Sequence, residues 1–207
     1  MEIYTYTLGA CMANCYIVRN ADGHAVLIDP CDEGGRLARI LEARSLTLDA
    51  VLLTHGHIDH IAGLDELLDA VGNVRVFLHK AEAPYLCDPA LNLSEMITGT
   101  PYAFGGAVRT LSDGEEISLC GLSFRVLHTP GHTDGSVCYL CGDALFSGDT
   151  LFGGTVGRTD FPHGDMDKLM DSLKKLTALP DETRVYPGHM GSTTIGREKR
   201  YNPYLAE

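Results

Sequence analysis

The chain reads as an α/β (α+β) protein with two sheets and helices outside them, and three observations of its sequence predict this. Short β-prone runs cluster in two sets, and in each half helix-spaced apolar residues come after strands. No linker rich in Gly, Ser or charge separates the halves. Two sheets facing each other with helices outside would bury both halves in one core. The length of 207 residues, with 44% hydrophobic and 21% charged, suits a single domain over 1–207.

In the first half, 4–8, 15–19 and 25–28 read as strands. A helix is expected over 33–44, where Leu37, Ile40 and Leu41 share a face. The run Ala50-Val51-Leu52-Leu53 is short, apolar and bounded by Thr54, so it reads as a buried strand ending at a loop. A short helix carrying Leu64, Leu67, Leu68 and Val71 follows, then a strand over 74–78. Residues 81–106 read as irregular, punctuated by Pro84, Pro89, Pro101 and Gly105-Gly106. Within them 99–106 is expected to be a mobile lid with little core to hold it. The second half predicts strands at 108–111, 116–119, 122–127, 136–140 and 144–146. A helix then carries Met166, Leu169, Met170, Leu173 and Leu176, and the last strand is 183–186.

The formal charge of −12 argues against a nucleic-acid partner, which would require clustered Lys and Arg. No apolar segment of 18 residues is present, so no membrane span is expected. The N-terminus alternates like a strand and lacks a basic region before an apolar core, so cytoplasmic residence is expected. The seven cysteines are an odd number in a chain too large to need staples, which predicts free thiols. Cys138 and Cys141 lie in a strand-like run that would point them to opposite faces, as core residues.

The chemistry concentrates at strand ends. Thr54-His55-Gly56-His57-Ile58-Asp59-His60 sets four metal-ligand side chains on one turn, and neutral imidazole with carboxylate suits zinc, with iron or manganese as other possibilities. Three more β-prone segments end at Gly and at once present a His or Asp. These are Pro130-Gly131-His132-Thr133, Gly148-Asp149-Thr150 and Pro187-Gly188-His189. Glycine permits the tight turn and close backbone approach that such a site needs.

These motifs, in this order, resemble the metallo-β-lactamase superfamily over nearly the whole chain. Within it the tract Gly148-Asp149-Thr150-Leu151-Phe152 through Gly157-Arg158-Thr159-Asp160-Phe161-Pro162 is most similar to glyoxalase II and its shorter relatives. The tail Thr193-Thr194-Ile195-Gly196-Arg197-Glu198 through Asn202-Pro203 also resembles the short type. The resemblance implies an αββα sandwich of two mixed β-sheets flanked by helices, the metallo-β-lactamase fold. It implies two divalent metal ions, zinc first. His55, His57 and His132 would hold one, Asp59, His60 and His189 the other, and Asp149 would bridge them. Thr54, Thr133 and Asp29 are the candidates to fix imidazole tautomers.

The activity implied is hydrolysis of a small-molecule thioester, as by a hydroxyacylglutathione hydrolase. A metal-bridging hydroxide would attack the carbonyl, with Asp59 orienting it. A thiolate leaves readily, so no dedicated general acid is required. The helical C-terminal region through which glyoxalase II contacts glutathione would begin about at Glu207. Arg158 is a candidate for a substrate carboxylate or for an ion pair with Asp160, and Phe152 and Tyr186 for pocket lining or core packing. A persulfide dioxygenase is the alternative, with one iron on His55, His132 and Asp149. A non-catalytic metal-binding relative would be expected to have lost ligands, and all seven positions are kept. Without an export signal, β-lactam hydrolysis is not expected. His24, His79, His128 and His163 are left for surface or structural roles.

Overall fold

Apolar runs without alternation form the centre of the first sheet in the computed structural model, which describes residues 1–72 and 74–205. The last residue of the expected domain, Glu207, lies outside that range. The described chain divides into two units, one of residues 1–111 with 118–122 and one of 112–117 with residues from 123 on.

The first unit contains β1 (Glu2–Leu8), β2 (Ala13–Arg19), β3 (His24–Ile28), α1 (Gly34–Ala43), β4 (Thr47–Leu52), α2 (Ile58–Ile61), α3 (Leu64–Val71), β5 (Arg75–His79), α4 (Ala83–Cys87), α5 (Ser94–Thr98) and β6 (Val108–Leu111). Its sheet follows chain order from β1 to β6. The β1–β2 and β2–β3 pairs are antiparallel, and β3 to β6 run parallel. Strand β1, at the edge, alternates in burial, whereas β2 to β5 are nearly all buried, as strands covered on both faces must be. Helices α1 and α3 pack where Gly34 lets the backbones close: a Cβ there would strike the Gly63 carbonyl. Leu37, Leu41, Leu64 and Leu67 join Ile17, Leu27, Val51 and Val76 in the core.

Parallel strands end on the same edge of a sheet, and this places the chemistry. Asp29 follows β3, Thr54 and His55 follow β4, and a single 3₁₀ turn, Lys80–Glu82, follows β5. Residues 81–106 are more regular than expected, because Pro84 sits in the first turn of α4, where its missing N–H costs nothing. The expectation that 99–106 has little core to hold it is corrected. Phe104 is buried in the core and donates its N–H to Leu86 O at 2.7 Å. The Tyr102 carbonyl accepts from Asn92 Nδ2 and its N–H reaches Ser94 Oγ, both at 2.9 Å.

The second sheet is ordered β14-β13-β10-β9-β8-β7. Its strands are β7 (Glu116–Leu119), β8 (Leu122–His128), β9 (Val137–Cys141), β10 (Ala144–Gly148), β13 (Arg184–Pro187) and β14 (Thr193–Thr194). A hairpin of β11 (Leu151–Phe152) and β12 (Thr155–Val156), helix α6 (Met166–Thr177) and helix α7 (Ile195–Tyr201) complete this part of the chain. The β10–β13 pair is parallel and β8–β9, β9–β10 and β13–β14 are antiparallel, so this sheet too is mixed. Asp165 caps α6, accepting the Lys168 N–H at 3.1 Å, and the Leu169–Leu173–Leu176 stripe packs on Cys138, Leu145 and Val185.

All seven cysteines are free thiols, with Cys138 and Cys141 buried as expected. Among the described residues no helix is long and apolar enough to cross a membrane.

Candidate metal centre

The first unit supplies four candidate donors, His55, His57, Asp59 and His60, and a buried carboxylate sets the orientation of two. Asp29 sits just past β3 with a left-handed backbone (φ 52), a conformation Asp tolerates better than most residues. Its Oδ1 accepts the Thr54 N–H at 2.8 Å and its Oδ2 the Thr54 hydroxyl at 2.6 Å. The same Oδ2 lies 2.9 Å from His60 Nδ1. A carboxylate accepts only, so the His60 proton is on Nδ1 and its Nε2 carries the lone pair. Because the Thr54 hydroxyl gives its hydrogen to Asp29, it accepts from His55 Nδ1, 3.1 Å away, which fixes the same tautomer on His55.

Glu82, fully buried, accepts the Gly56 N–H at 2.7 Å and pins the turn between His55 and His57. Gly56 is required there, since a Cβ would lie 2.5 Å from that of Tyr85. His57 is the residue before α2, and Ile58 N–H bonds to Asn92 O at 2.8 Å. The rings of His55 and His57 are 4.9 Å apart and those of His55 and His60 4.2 Å. Asp59 Oδ2 lies 3.9 Å from His60 Nε2, on a side chain 17% exposed.

The second unit supplies three candidate donors, His132, Asp149 and His189. Strands β10 and β13 run parallel, and Gly188 N–H bonds to Gly148 O at 2.8 Å, so the residues that follow, Asp149 and His189, emerge together. Asp149 Oδ2 stands 3.5 Å from His189 Nε2 and 3.6 Å from His132 Nε2. These separations are long for hydrogen bonds. They match the edge of about 3.4 Å between two ligands of a tetrahedral ion with bonds of about 2.1 Å. His132 Nδ1 donates to the Arg158 carbonyl at 2.8 Å, which again leaves the lone pair on Nε2. Its loop is held by Gly131 (φ 138), where a Cβ would strike the backbone of Leu169 on α6. The candidate donors, imidazoles of which His55, His60 and His132 have Nδ1 engaged elsewhere, and carboxylates that accept only, fit a borderline divalent cation.

Of the remaining sequence candidates, Thr54 and Asp29 form the network just described. Thr133 instead bonds Ser136 Oγ at 2.6 Å and braces its own turn. The Arg158 guanidinium makes a two-pronged pair with Asp160 at 2.6 and 2.7 Å and lies 3.9 Å from the Phe161 ring centroid. The pair holds the Asp160 carboxyl down at about 2. Phe152 is buried with its ring edge-on to His189 at 6.0 Å, and Tyr186 stacks on Phe146 at 5.3 Å. His128 Nε2 meets the Asp134 carbonyl at 2.9 Å, and His163 pairs with the Asp134 carboxylate at 2.8 Å. Exposed His24 pairs with Asp49, and buried His79 closes β5. Glu82 was invisible in the sequence, which offers no pattern for a lone buried carboxylate in an irregular stretch.

The family model for the metallo-beta-lactamase superfamily matches residues 8–189. The chain belongs to this superfamily. As a member it is a metal-dependent hydrolase, and it has the metallo-β-lactamase fold. It is 36% identical to the hydroxyacylglutathione hydrolase GloC of Haemophilus influenzae over 99% of the chain and 98% of that protein. Among solved structures it is similar to the B3 metallo-beta-lactamase BLEG-1, with a TM-score of 0.95 and 39% identity over the whole of both chains. TTHA1623 in a di-iron-bound form has a TM-score of 0.87 and 40% identity, over 98% of this superfamily member and 100% of that chain. ETHE1 from Myxococcus xanthus has a TM-score of 0.82 and 35% identity, over 98% and 84%.

Proposed function

We propose that the two donor sets act together in one catalytic domain as a binuclear centre that hydrolyses a thioester of the 2-hydroxyacylglutathione kind to acid and free thiol. The observation that carries this reading is the wiring of the imidazoles. His55, His60 and His132 each engage Nδ1 elsewhere and keep Nε2 for a ligand role. In the proposed centre His55, His57 and His132 would hold one ion, Asp59, His60 and His189 would hold the other, and Asp149 would serve both. Zinc is the ion such donors suit best, and the di-iron form of TTHA1623 makes iron the rival. When bound, two such ions supply hydroxide near neutral pH and polarise a carbonyl oxygen.

The residues of the chain then do the rest. Asp29 and the Arg158 carbonyl keep the imidazoles aimed, so no reorganisation is needed during turnover. Asp59, half-buried beside His60, accepts a hydrogen bond from the attacking oxygen and directs its lone pair at the carbonyl carbon. The departing sulfur leaves as thiolate, so no side chain has to protonate it. The name of GloC supports the choice of thioester. The name of BLEG-1 favours a second reading, β-lactam hydrolysis at the same centre.

The test is elemental analysis of the purified protein together with assays of thiol release from S-lactoylglutathione and of β-lactam opening. Two metals per chain with thiol release are expected, and His189→Ala should lose one metal and the activity. One iron, no thiol release and oxygen uptake with glutathione persulfide would replace the hydrolase with a dioxygenase on His55, His132 and Asp149. Lactam opening without thiol release would favour the second reading.

A further inference from the structure

Asp59 is both a proposed metal ligand and part of the wall of a separate recess in the first unit. The recess has a volume of about 180 Å³ and lies between the β1–β2 turn, α2 and the end of α5. Leu8, Cys31 and Ile58 are buried in its lining, and Ala62 and Ile97 add apolar surface nearer solvent. Its polar groups include the carboxylates of Asp59 and Asp32. No step of the proposed hydrolysis uses this space.

We infer that this recess binds the aliphatic chain of the acyl group, so that the preferred substrates are thioesters of acids longer than lactate. The inference rests on the thioester reading above. A thioester carbonyl has two arms, and the recess discriminates between them. A glutathione arm carries carboxylates that Asp32 repels, and several amides that are costly to bury in a lining made mostly of apolar side chains. The acyl arm of a simple aliphatic acid carries neither. The volume is about six times the share of one water molecule in the liquid, which is room for a chain of about four to six carbons. A chain seated there with its carboxyl end beside Asp59 would place that carbon where the attack is proposed.

The experiment compares S-(2-hydroxyacyl)glutathiones with acyl chains of three, four, six and eight carbons. Burying a methylene should raise kcat/KM by about fourfold per carbon up to the six-carbon acid, then level off once the recess is full. Ile97→Trp fills the space from a side chain that is 39% exposed, so the fold has room to accept it. This variant should abolish the rise while leaving lactoyl hydrolysis and metal content unchanged. A flat or falling series, or a rise that survives in Ile97→Trp, overturns the inference. If no thioester is cleaved, the proposed activity fails but the pocket is still decided by calorimetry. Hexanoate should bind more tightly than acetate to the wild-type protein and not to Ile97→Trp, and equal binding of the two acids would refute it.

Discussion

His60 and His132 both turn Nε2 away from an anchored Nδ1, but their anchors differ in kind. The His60 anchor is the buried carboxylate of Asp29, which also takes both hydrogens of Thr54 and through that hydroxyl orients His55. The His132 anchor is a backbone carbonyl, that of Arg158. A carboxylate strengthens imidazole as a ligand and couples several residues to one side chain. A carbonyl orients as well but comes with the chain, whatever residue stands there. The anchoring of His60 and His55 is therefore open to disruption at a single side chain, and that of His132 does not depend on the side chain that stands at 158.

The sharpest way to break this comparison is to remove Asp29. Asp29→Ala leaves two Thr54 hydrogens and the His60 Nδ1 proton without their acceptor in a buried setting. Each orphan costs about 1–3 kcal/mol, so a loss of about 3–5 kcal/mol is expected after relaxation. Thermal unfolding should fall by about 10 °C at the 2–4 °C per kcal/mol usual for a chain of this size. Metal affinity, read by competition with a chelating dye, should drop by about 10–100-fold. The matched change in the other set, Arg158→Ala, keeps the carbonyl and should alter metal affinity by less than about fivefold. Comparable losses in the two variants would dissolve the distinction.

A smaller effect is expected at Glu82, which accepts the backbone N–H of Gly56. Glu82→Gln keeps an acceptor oxygen for Gly56 and should cost about 1 kcal/mol, whereas Glu82→Leu leaves that N–H unsatisfied and should cost about 2–3 kcal/mol. Chemical denaturation measures both. If Glu82→Leu matches wild type, the buried contact at 2.7 Å is not what fixes the His55–His57 turn.

All seven donor positions stood in short motifs after apolar runs, because a strand that ends at Gly or Thr fixes where the next side chain emerges. Thr54 and Asp29 were readable for the same reason, lying two residues past β4 and one past β3 respectively. Glu82 was not, since its role depends on β5 lying beside β4, and no local pattern encodes that pairing. The β11–β12 hairpin and α7 escaped for a different reason. Two-residue strands are too short to show a period, and α7 buries only Ile195 and Glu198, so it has no apolar stripe. Its position comes instead from Glu198, which accepts from Thr193, Asn202 and the Gly154 N–H. The segment 99–106 looked free because Gly and Pro dominate it, yet one aromatic residue, Phe104, is enough to anchor it in the core.

The smallest test uses His24, an exposed counterpart of the His60–Asp29 pair. Its Nδ1 lies 2.7 Å from Asp49 Oδ1, close to the 2.9 Å of the buried pair, but its side chain is 47% exposed. The hydrogen bond to Asp49 and the charge of that carboxylate raise the His24 pKa above its ordinary 6.5. A raised histidine pKa stabilises the fold below the ordinary value, and this contribution fades as pH climbs through the raised midpoint. Proton NMR should place the His24 midpoint above 6.5, and Asp49→Asn should bring it back. Water screens this pair, so Asp49→Asn should leave thermal unfolding at pH 8 unchanged, while Asp29→Ala lowers it at every pH. A large loss on replacing Asp49 would mean that carboxylate anchoring matters as much at the surface as in the core, and burial would cease to explain why Asp29 carries the first donor set.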